Sequence, residues 1–309
     1  MSWIEDRVRE IGKEIMENAI AFIGLGKMGL PMALHLANAG HALVGFDPSA
    51  ERRTLAERGA LPVTSVVDEL IKSSSMMISS LPNDDALEQV SAQLCRSANA
   101  GSIYIDASTV SLEASARVAQ ELALAGITYL RCTVSGNNVM AEAAKLTIMV
   151  SGDQTAFEAC KKIFQCWGEK SFYLGDGEQA RLMKLAINLM ILLTSGMLAE
   201  ALSLGRKGGL EWSDMWQVID ASAVGSPIVK AKASALSKRD FTATFTVEQM
   251  RKDVGLILDA GKMLNVPLGL TALTAQLLSS ASAQGYAGED YAAIIKVVEQ
   301  AGNLGEVEL

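Results

Sequence analysis

The segment from residue 19 to residue 47 combines a glycine-rich turn with the apolar runs on either side of it. A short apolar run, Ala19–Ile23, enters the turn, and a helical pattern follows it to about Asn38. A second apolar run, Ala42–Phe46, ends at Asp47. The turn has the spacing GxGxxG, with its glycines at Gly24, Gly26 and Gly29. This order predicts a βαβ unit whose first strand leads directly into a tight turn and a helix.

Each glycine of the turn has a separate physical use. The first permits the tight turn, the second lets a pyrophosphate approach the backbone, and the third allows the helix to pack closely on the strand. The helix N-terminus, where backbone N–H groups lack partners within the helix, then faces the anion. We therefore predict a dinucleotide-binding turn built from six consecutive residues: Gly24, Leu25, Gly26, Lys27, Met28 and Gly29.

Asp47 ends the second apolar run, 18 residues after Gly29 (47 − 29). A carboxylate at that place can accept hydrogen bonds from both ribose hydroxyls, and its charge repels a 2′-phosphate. The residue therefore predicts NAD as the cofactor, with NADP less favoured. The alternative is that Asp47 is a simple turn residue before Pro48. Arg52 and Arg53 keep NADP open, but we expect them on the solvated face of the next helix.

Apolar runs and helical patterns continue to alternate after Asp47. Four more strands are expected, at Ser75–Leu81, Ser102–Asp106, Ile127–Cys132 and Leu146–Val150. After residue 180 the pattern is helical throughout. We therefore predict an α/β fold: an N-terminal Rossmann-type, doubly wound parallel sheet, then an all-α C-terminal domain, joined by a long interdomain helix. The predicted parts are an amphipathic helical extension (1–17), a dinucleotide-binding domain (18–179) and a helical substrate and oligomerisation domain (180–309).

Polar stretches follow two of the expected strands. "SSLPND" spans 79–84 and "DAST" spans 106–109. Loops at the carboxyl ends of parallel strands bind ligands, so both stretches are expected to contact the nicotinamide half of the cofactor. They also have helix-cap chemistry, with Asp84 and Thr109 or Ser111 as the caps. The two interpretations are compatible.

Composition argues against several classes of function. The formal net charge is −8 and the pI is about 5.0, whereas a nucleic-acid partner requires clustered Lys and Arg. Two histidines and four cysteines show no metal-binding spacing. Reduced, buried thiols and a first segment without an apolar signal core favour a cytoplasmic location. The cysteines are Cys95, Cys132, Cys160 and Cys166.

Two apolar helices are predicted outside the alternating region. The first begins the chain, and its apolar stripe would pack on its own domain, on a partner or on a second subunit. That stripe consists of Ile4, Val8, Ile11 and Ile15. The second helix contains "LMKLAINLMILL" at 182–193. Because Lys184, Asn188 and Glu200 interrupt its apolar run, we expect a core helix that does not span a membrane.

Lys184 and Asn188 are the polar residues of "LMKLAINLMILL", and their spacing of four places them on one face of a helix. A buried ammonium group is costly unless it is paired or loses its charge. Lys184 therefore either extends its charge to water along its aliphatic stem or has a functional role. Taken alone, the segment favours neither.

Four segments resemble the β-hydroxyacid dehydrogenases, a family that includes 3-hydroxyisobutyrate dehydrogenase and tartronate semialdehyde reductase, with 6-phosphogluconate dehydrogenase as a larger relative. "FIGLGKMGLPMALHLANAG" is similar to the family's cofactor signature. "VSGNNVMAEAAKLTIMVSG" (134–152) is similar to its substrate loop, and "GDGEQARLMKLAINL" (175–189) to the segment with its catalytic lysine. "FTVEQMRKDVGLILDAG" (245–261) is similar to a late segment of the family that contains Lys-Asp.

The resemblance implies a role for each matching substrate-side residue. Lys184 would be the general acid/base, and Asn188 would help to hold the substrate. Ser135 and Gly136 would present a hydroxyl and backbone N–H groups to the substrate carboxylate, with Asn137 beside them.

On the cofactor side, the resemblance implies that Leu81, Pro82 and Thr109 line the cleft. Lys252 would approach the cofactor from the second domain. Without the resemblance, Lys252 and Asp253 would be interpreted as a solvated charged pair on a helix.

The function implied is transfer of a hydride between NAD and a small, anionic 3-hydroxy acid or its semialdehyde. His35 and His41 lie in or just after the first helix, away from the inferred substrate face, which leaves lysine as the proton carrier. Burial of Lys184 among apolar neighbours should lower its pKa toward neutrality. Those neighbours are Leu182, Met183, Leu185 and Leu189.

Two other functions remain open on the same fold. One is reduction of an imine with NADPH, and the other is a dinucleotide-binding interaction protein without catalysis. The long apolar helix further suggests a homodimer or homotetramer, although a monomer core could bury it equally well.

The chain departs from the family at three positions of the substrate loop, where "RCTVSGN" replaces a run similar to DAPVSGG. Asn137 keeps a backbone N–H but adds a side chain where the substrate should sit, which bears on substrate identity. Arg131 would face either an anionic group of the substrate or solvent, and solvent is the better expectation. Thr133 is the third departure.

Overall fold

The computed structural model describes residues 19–305, so the amphipathic helix predicted for 1–17 lies outside the described residues. The chain forms two compact units. The first ends at Lys184 and the second begins at Leu185. This division falls inside the long helix rather than at its start.

The first unit is built on an eight-stranded sheet with the strand order β3-β2-β1-β4-β5-β6-β7-β8. The strands are β1 Ile20–Ile23, β2 Leu43–Phe46, β3 Val63–Thr64, β4 Met76–Ser79, β5 Ile103–Asp106, β6 Thr128–Ser135, β7 Thr147–Gly152 and β8 Lys170–Tyr173. Its helices are α1 Gly29–Asn38, α2 Ala50–Arg58, α3 Val67–Ser73, α4 Asp84–Ser97, α5 Leu112–Leu124, α6 Asn138–Glu142, α7 Gln154–Ala159 and α8 Lys161–Gln165.

The predicted Rossmann-type, doubly wound parallel sheet is confirmed, and one pair of its strands is antiparallel. β7 runs antiparallel to β6, with Ser135 opposite Thr147 and Leu130 opposite Gly152. The connection between them contains only the five-residue α6. A parallel crossover needs about a dozen or more residues, usually with a full helix. The chain therefore reverses direction, and the remaining neighbouring strands are parallel.

Two strands were not predicted from the sequence, β3 and β8. β3 has two residues, too few to show a periodic pattern. β8 has the sequence KSFY and is exposed or half-buried at every position, so it lacks the apolar run that identifies an inner strand.

Both faces of the sheet are covered, which explains why its inner strands appear as uninterrupted apolar runs. Successive side chains of a strand point to opposite faces. In β1, Ile20 and Phe22 pack in one hydrophobic cluster, and Ala21 and Ile23 pack in another. Trp167, fully buried, also donates its indole N–H to the carbonyl oxygen of Met32 in α1 at 3.0 Å.

The second unit is helical within its described residues. It contains most of α9 (Gln179–Lys207), then α10 Trp212–Ala221, α11 Pro227–Leu236, α12 Val247–Met263 and α13 Gly269–Ala281. A π-helical turn (Ser282–Tyr286) and a 3₁₀ turn (Tyr291–Ala293) lead to α14 Ile294–Ala301. α12 begins with a capping box in which Thr246 and Gln249 exchange hydrogen bonds.

The long helix α9 is buried on one face and exposed on the other. Its buried positions recur every three or four residues, as a single stripe of a 3.6-residue helix requires. They include Arg181, Leu185, Asn188, Leu192, Ser195, Ala199 and Leu202. By length and composition alone α9 could cross a membrane, a test that core helices of soluble proteins also pass; 44% of its most apolar window is buried.

Two leucines on α5 provide a test of this packing. Leu122 is fully buried, whereas Leu124 is 92% exposed. We expect Leu122→Ala to lower the free energy of unfolding by about 2–5 kcal/mol, because it removes buried methyl groups and leaves a cavity. The matched control Leu124→Ala should change it by less than about 0.5 kcal/mol. Urea denaturation followed by circular dichroism measures both, and equal losses would contradict the packing described.

Candidate active site

The glycine-rich turn lies between β1 and α1, and two of its glycines are required by packing. A Cβ on Gly24 would collide with the carbonyl oxygen of Ser80, and a Cβ on Gly29 would collide with that of Gly24. Gly24 also has a positive φ of 94°. Gly26 differs, since a Cβ there would meet no atom within 4 Å. The turn thus combines a closely packed frame with one open approach to the backbone, which fits a bound pyrophosphate.

The three other residues of the turn have different environments. Leu25 is fully buried in the core, so its side chain does not face a ligand, and its backbone N–H donates to Asp47. Met28 packs on the same core from a half-buried position. Lys27 is exposed and provides a cation next to the open approach.

Asp47 stabilises the turn before α2, as the sequence suggested, and its carboxylate can still accept hydrogen bonds from a ligand. Its Oδ2 accepts the N–H of Leu25 at 2.8 Å, and its Oδ1 accepts the N–H of Ser49 at 2.9 Å. An ionised carboxylate has about four acceptor positions, so two remain. Arg53 was expected on a solvated face, but its Nη1 donates to the carbonyl oxygens of Asp47 and Pro48 at 2.6 and 3.1 Å.

The loops after β4 and β5 are hydrogen-bonded to each other beside the glycine-rich turn. The Leu81 N–H donates to Ser108 Oγ at 2.7 Å, and Ser79 Oγ donates to Asp106 Oδ1 at 2.6 Å. Leu81 Cδ2 lies 3.6 Å from the position that a Cβ would take on Gly24. Pro82 (exposed) and Thr109 (half-buried) continue these loops. The structure therefore brings Leu81, Pro82 and Thr109 together with the glycine-rich turn at the carboxyl ends of β1, β4 and β5.

The predicted helix caps near these loops are partly wrong. Asn83, not Asp84, caps α4, because its Oδ1 accepts the N–H of Ala86 at 3.0 Å. Asp84 instead accepts the N–H of Ser111 at 2.9 Å, which links the two loops. Ser111 caps α5 as one of the two predicted candidates.

Arg181, in the first turn of α9, was missed by the sequence interpretation. It is 1% exposed, and its guanidinium donates to the Asp106 carboxylate and to the Ser108 carbonyl oxygen. It also donates to the hydroxyls of Ser115 and Tyr129 at 2.7 and 2.6 Å. The available signal was a basic residue one turn before Lys184, in a segment that is otherwise apolar.

The ionisation of this cluster is fixed by its surroundings. Burial opposes the charge of Arg181, but Tyr129 and Asp106 outweigh it, so the guanidinium pKa lies above its usual range. Burial raises the pKa of Tyr129 to about 12. Arg181 is therefore a cation and Tyr129 a neutral hydroxyl at neutral pH.

The predicted substrate loop begins where β6 extends beyond β5. Arg131 is opposite Asp106, the last residue of β5, and Ser135 lies four residues further along β6 (135 − 131). Gly136 has a φ of 141°, and a Cβ there would lie 2.7 Å from Leu146 Cδ2. These residues thus project past the same sheet edge as the cofactor loops.

Asn137 was expected to add a side chain at the substrate position, and in the structure this side chain bonds to the start of α6. Its Oδ1 accepts the N–H of Met140 at 3.0 Å, so the side chain caps α6. Thr133, another departure from the family pattern, donates its hydroxyl to the Ala180 carbonyl oxygen at 2.8 Å. The loop therefore replaces glycine with a residue that begins a helix.

The expectation that Arg131 faces solvent is also wrong. Arg131 is 8% exposed, and its Nε donates to Glu178 Oε1 at 2.8 Å. Its guanidinium also lies over the Tyr129 ring, 4.8 Å from the centroid. The charge of Arg131 is therefore balanced by a carboxylate of the chain itself, Glu178.

Lys184 lies on α9 one turn after Arg181 and is half-buried. Of its expected apolar neighbours only Leu185 is buried, while Leu182 and Met183 are 40% and 42% exposed and Leu189 is half-buried. The helical period divides "LMKLAINLMILL" between two faces, so the apolar enclosure expected around this lysine is only partial.

Within the second unit, Asn188, Lys252 and Asp253 come together. Asn188 is 5% exposed and donates its Nδ2 to Asp253 Oδ2 at 2.7 Å. Lys252 Nζ lies 3.2 Å from Asp253 Oδ1. Asp253 is 2% exposed whereas Lys252 is exposed, so only the lysine of this pair is solvated as its sequence alone suggested. The sequence did not predict that Asp253 binds Asn188. The available signal was its place in the Lys-Asp dipeptide of α12.

His35 and the cysteines have structural environments. His35 Nε2 lies 3.0 and 3.1 Å from the carbonyl oxygens of Ala141 and Glu142, so it links α1 to α6. All four cysteines are free thiols; Cys132 and Cys160 are buried as expected, whereas Cys95 is exposed and Cys166 is half-buried. Residues 19–305 contain no cluster of three potential metal ligands.

The two halves of the chain match two family models. Residues 19–175 match the NAD binding domain of 6-phosphogluconate dehydrogenase. Residues 178–298 match the model described as NAD-binding of NADP-dependent 3-hydroxyisobutyrate dehydrogenase. The 2-(hydroxymethyl)glutarate dehydrogenase of Eubacterium barkeri is 35% identical over 286 residues, 91% of this chain and 95% of that protein. The chain belongs to the β-hydroxyacid dehydrogenase family.

Two further relatives agree with this assignment. The 2-hydroxy-3-oxopropionate reductase of Escherichia coli K12 is 29% identical, covering 92% of this chain and 98% of that protein. The solved structure of Mycobacterium tuberculosis 3-hydroxyisobutyrate dehydrogenase with L-serine has a TM-score of 0.85 and 26% identity, covering 91% and 99%. This β-hydroxyacid dehydrogenase is therefore an NAD(P)-dependent oxidoreductase. Neither the imine reductase nor the non-catalytic alternative is favoured.

The open space at Gly26 leads to a prediction about the β-hydroxyacid dehydrogenase's cofactor. Gly26→Ala should leave the thermal midpoint nearly unchanged but weaken NADH binding about tenfold or more, because the new methyl group occupies the approach of the pyrophosphate. Titration calorimetry with NADH measures the affinity. Gly269→Ala, where a Cβ also meets no atom within 4 Å, is the matched control. Unchanged affinity in Gly26→Ala would exclude this turn as the pyrophosphate site.

Proposed function

We propose that this enzyme transfers a hydride between NAD and a small, anionic 3-hydroxy acid or its semialdehyde, with Lys184 as general acid/base. One observation carries the proposal. Arg181 binds Asp106 and the Ser108 carbonyl oxygen, and Lys184 follows it by one turn of α9. The candidate proton carrier is thus on a helix whose first turn is bonded to the cofactor loops.

The chemistry requires a hydride acceptor and a proton acceptor that act together. The nicotinamide, when bound, supplies the hydride acceptor. Lys184 as a neutral amine takes the proton from the substrate hydroxyl during oxidation, and as an ammonium it returns that proton to the carbonyl oxygen during reduction. The Asn188 amide, oriented by Asp253, can hold the same oxygen by a hydrogen bond.

The proposed substrate carries a carboxylate because the Ser135–Asn137 loop offers donors for one. Ser135 has a hydroxyl at the end of β6, and Gly136 and Asn137 have backbone N–H groups. Hydrogen bonds from such donors to a carboxylate are stronger than those between neutral groups. The Asn137 side chain, engaged in capping α6, leaves these donors accessible to the substrate.

We propose NAD as the preferred cofactor. The Asp47 carboxylate ends β2 with two acceptor positions remaining, and its charge disfavours a 2′-phosphate. Arg53 could otherwise bind a 2′-phosphate, but its guanidinium donates to the carbonyl oxygens of Asp47 and Pro48.

The proposed reaction is tested by a screen with both cofactors. Hydroxyisobutyrate, glycerate, 2-(hydroxymethyl)glutarate and tartronate semialdehyde are each assayed with NAD(H) and NADP(H), and we expect the higher kcat/KM with NAD(H). Lys184→Ala should keep NADH binding and lower kcat by about two orders of magnitude or more. Lys72→Ala, an exposed lysine on α3, is the control. Wild-type turnover in Lys184→Ala would refute the assignment of the lysine.

We also propose that the enzyme is a homo-oligomer held through the exposed stripe of α9. This stripe consists of Met183, Met190, Met197 and Leu204, which are 42%, 66%, 48% and 76% exposed. A spacing of seven residues keeps them on one face, as in a helix that packs against another helix. A second copy of the chain is the proposed occupant, because the same stripe on both subunits is self-complementary about a two-fold axis.

Substitution within the stripe tests the oligomer. Met190→Lys together with Met197→Lys should shift the mass measured by size-exclusion chromatography with light scattering toward the monomer, because two ammonium groups on each copy would face an apolar contact. Leu124→Lys, a change at a 92% exposed leucine of α5, should not alter the mass. A monomeric wild-type protein, or an oligomer that survives the double substitution, would argue against this interface.

A further inference from the structure

The first turn of α9 is attached to the sheet through a buried ion pair. Arg181 and Asp106 are 1% and 0% exposed. All five N–H groups of a guanidinium point outward in a fixed plane, and Arg181 uses its three nitrogens on four partners. Those partners belong to β5, to the loop after it, to α5 and to β6. The contact therefore fixes both the position and the rotation of the start of α9.

The same ion pair also organises the loop after β4. Asp106 Oδ1 accepts hydrogen bonds from the hydroxyls of Ser79 and Ser108. The Ser108 Oγ in turn accepts the backbone N–H of Leu81 at 2.7 Å. A continuous chain of hydrogen bonds thus runs from Arg181 through Asp106 and Ser108 to Leu81, next to the glycine-rich turn.

Stability alone does not explain a charge pair in this position. Removing two charges from water carries a desolvation penalty, and a buried ion pair is often no more stabilising than apolar residues of similar volume. What such a pair provides is a single allowed geometry, since each charge must meet its partner in the right orientation. A second carboxylate, Glu178, reinforces the geometry: it pairs with Arg131 at 2.6 Å and lies 3.7 Å from Arg181 Nε.

We propose that Arg181 and Asp106 are positioning residues that hold Lys184 and the Leu81 loop in fixed relation to each other. This inference rests on the proposed role of Lys184. Lys184 follows Arg181 by three residues, about one helical turn, so a rotation or shift of the first turn moves its amine directly. The Arg181–Asp106 ion pair would then determine both the position of the Lys184 amine and that of the Leu81 loop at the nicotinamide end of the cofactor.

Arginine is required at this place rather than any cation. Lysine carries its charge at one nitrogen with three donors and cannot span the four partners of Arg181. Arg181 and Tyr129 also do not titrate near neutral pH, because the pKa of the Arg181 guanidinium lies above its usual range and the pKa of Tyr129 is raised to about 12. A change in the pH dependence of turnover therefore reflects the ionisation of Lys184 and not that of Arg181 or Tyr129.

The decisive experiment compares Arg181→Lys with Arg239→Lys, the same change at an arginine of the second unit that pairs with the buried carboxylate of Glu299 at 2.8 Å. Arg181→Lys keeps the charge and should lower kcat by about tenfold to a hundredfold, since misplacement by about 1 Å costs that much. It should also shift the pH profile of kcat and weaken NADH binding. Arg239→Lys, measured at an equal distance below its thermal midpoint, should keep the wild-type kcat and pH profile.

A second variant covers the case in which Arg181→Lys fails to fold. The double substitution Arg181→Met with Asp106→Asn leaves no unpaired buried charge, so it should fold and still show the lowered kcat and the shifted profile. Wild-type kcat and pH profile in either folded variant, or equal kinetic losses in Arg239→Lys, would overturn the inference. If Lys184→Ala keeps wild-type turnover, the proposed function itself fails; an inactive Lys184→Ala beside a fully active Arg181→Lys rejects only the positioning role.

Discussion

The parallel pairing of β1 with both β2 and β4 determines where the rest of the first unit lies. Parallel strands end at the same edge, so the residues that leave β1, β2, β4 and β5 meet there. The glycine-rich turn fits at this edge only because Gly24 and Gly29 lack side chains where neighbouring carbonyl oxygens approach. Once this turn is in place, Asp47 can accept its N–H group and the loop after β4 can pack against it.

Much of this arrangement could be predicted from the sequence. The inner strands are buried on both faces and therefore appear as apolar runs, and GxGxxG with Asp47 identifies the βαβ unit. The reversal at β7 could not be predicted from the run Leu146–Val150, because an apolar strand has the same pattern in either direction. The cue was the short connection after Ser135, which leaves too few residues for a crossover.

Polar residues inside helices were the least predictable part of the candidate site. Lys184 was conspicuous because it interrupts an apolar segment, yet Arg181 and Asp253 are the more deeply buried charges. Their burial depends on partners that lie 75 and 65 residues away in the chain, Asp106 and Asn188. No periodicity within one helix contains that information. The side chain of Asn137 shows the same limit on a smaller scale, since a cap is recognisable only once the helix start is known.

The reversal between β6 and β7 has a consequence for how this enzyme can diversify. Residues 136–146 leave the sheet at Ser135 and return at Thr147, and these two residues are paired neighbours. Because the ends of this loop are already held together by the strand pair, the entropic cost of closing it changes little when its length or sequence changes. The cofactor edge, by contrast, is tied together by contacts between four strands. The loop that we propose to bind the substrate carboxylate can therefore change in length or sequence without altering the four strands that carry the glycine-rich turn and its neighbouring loops.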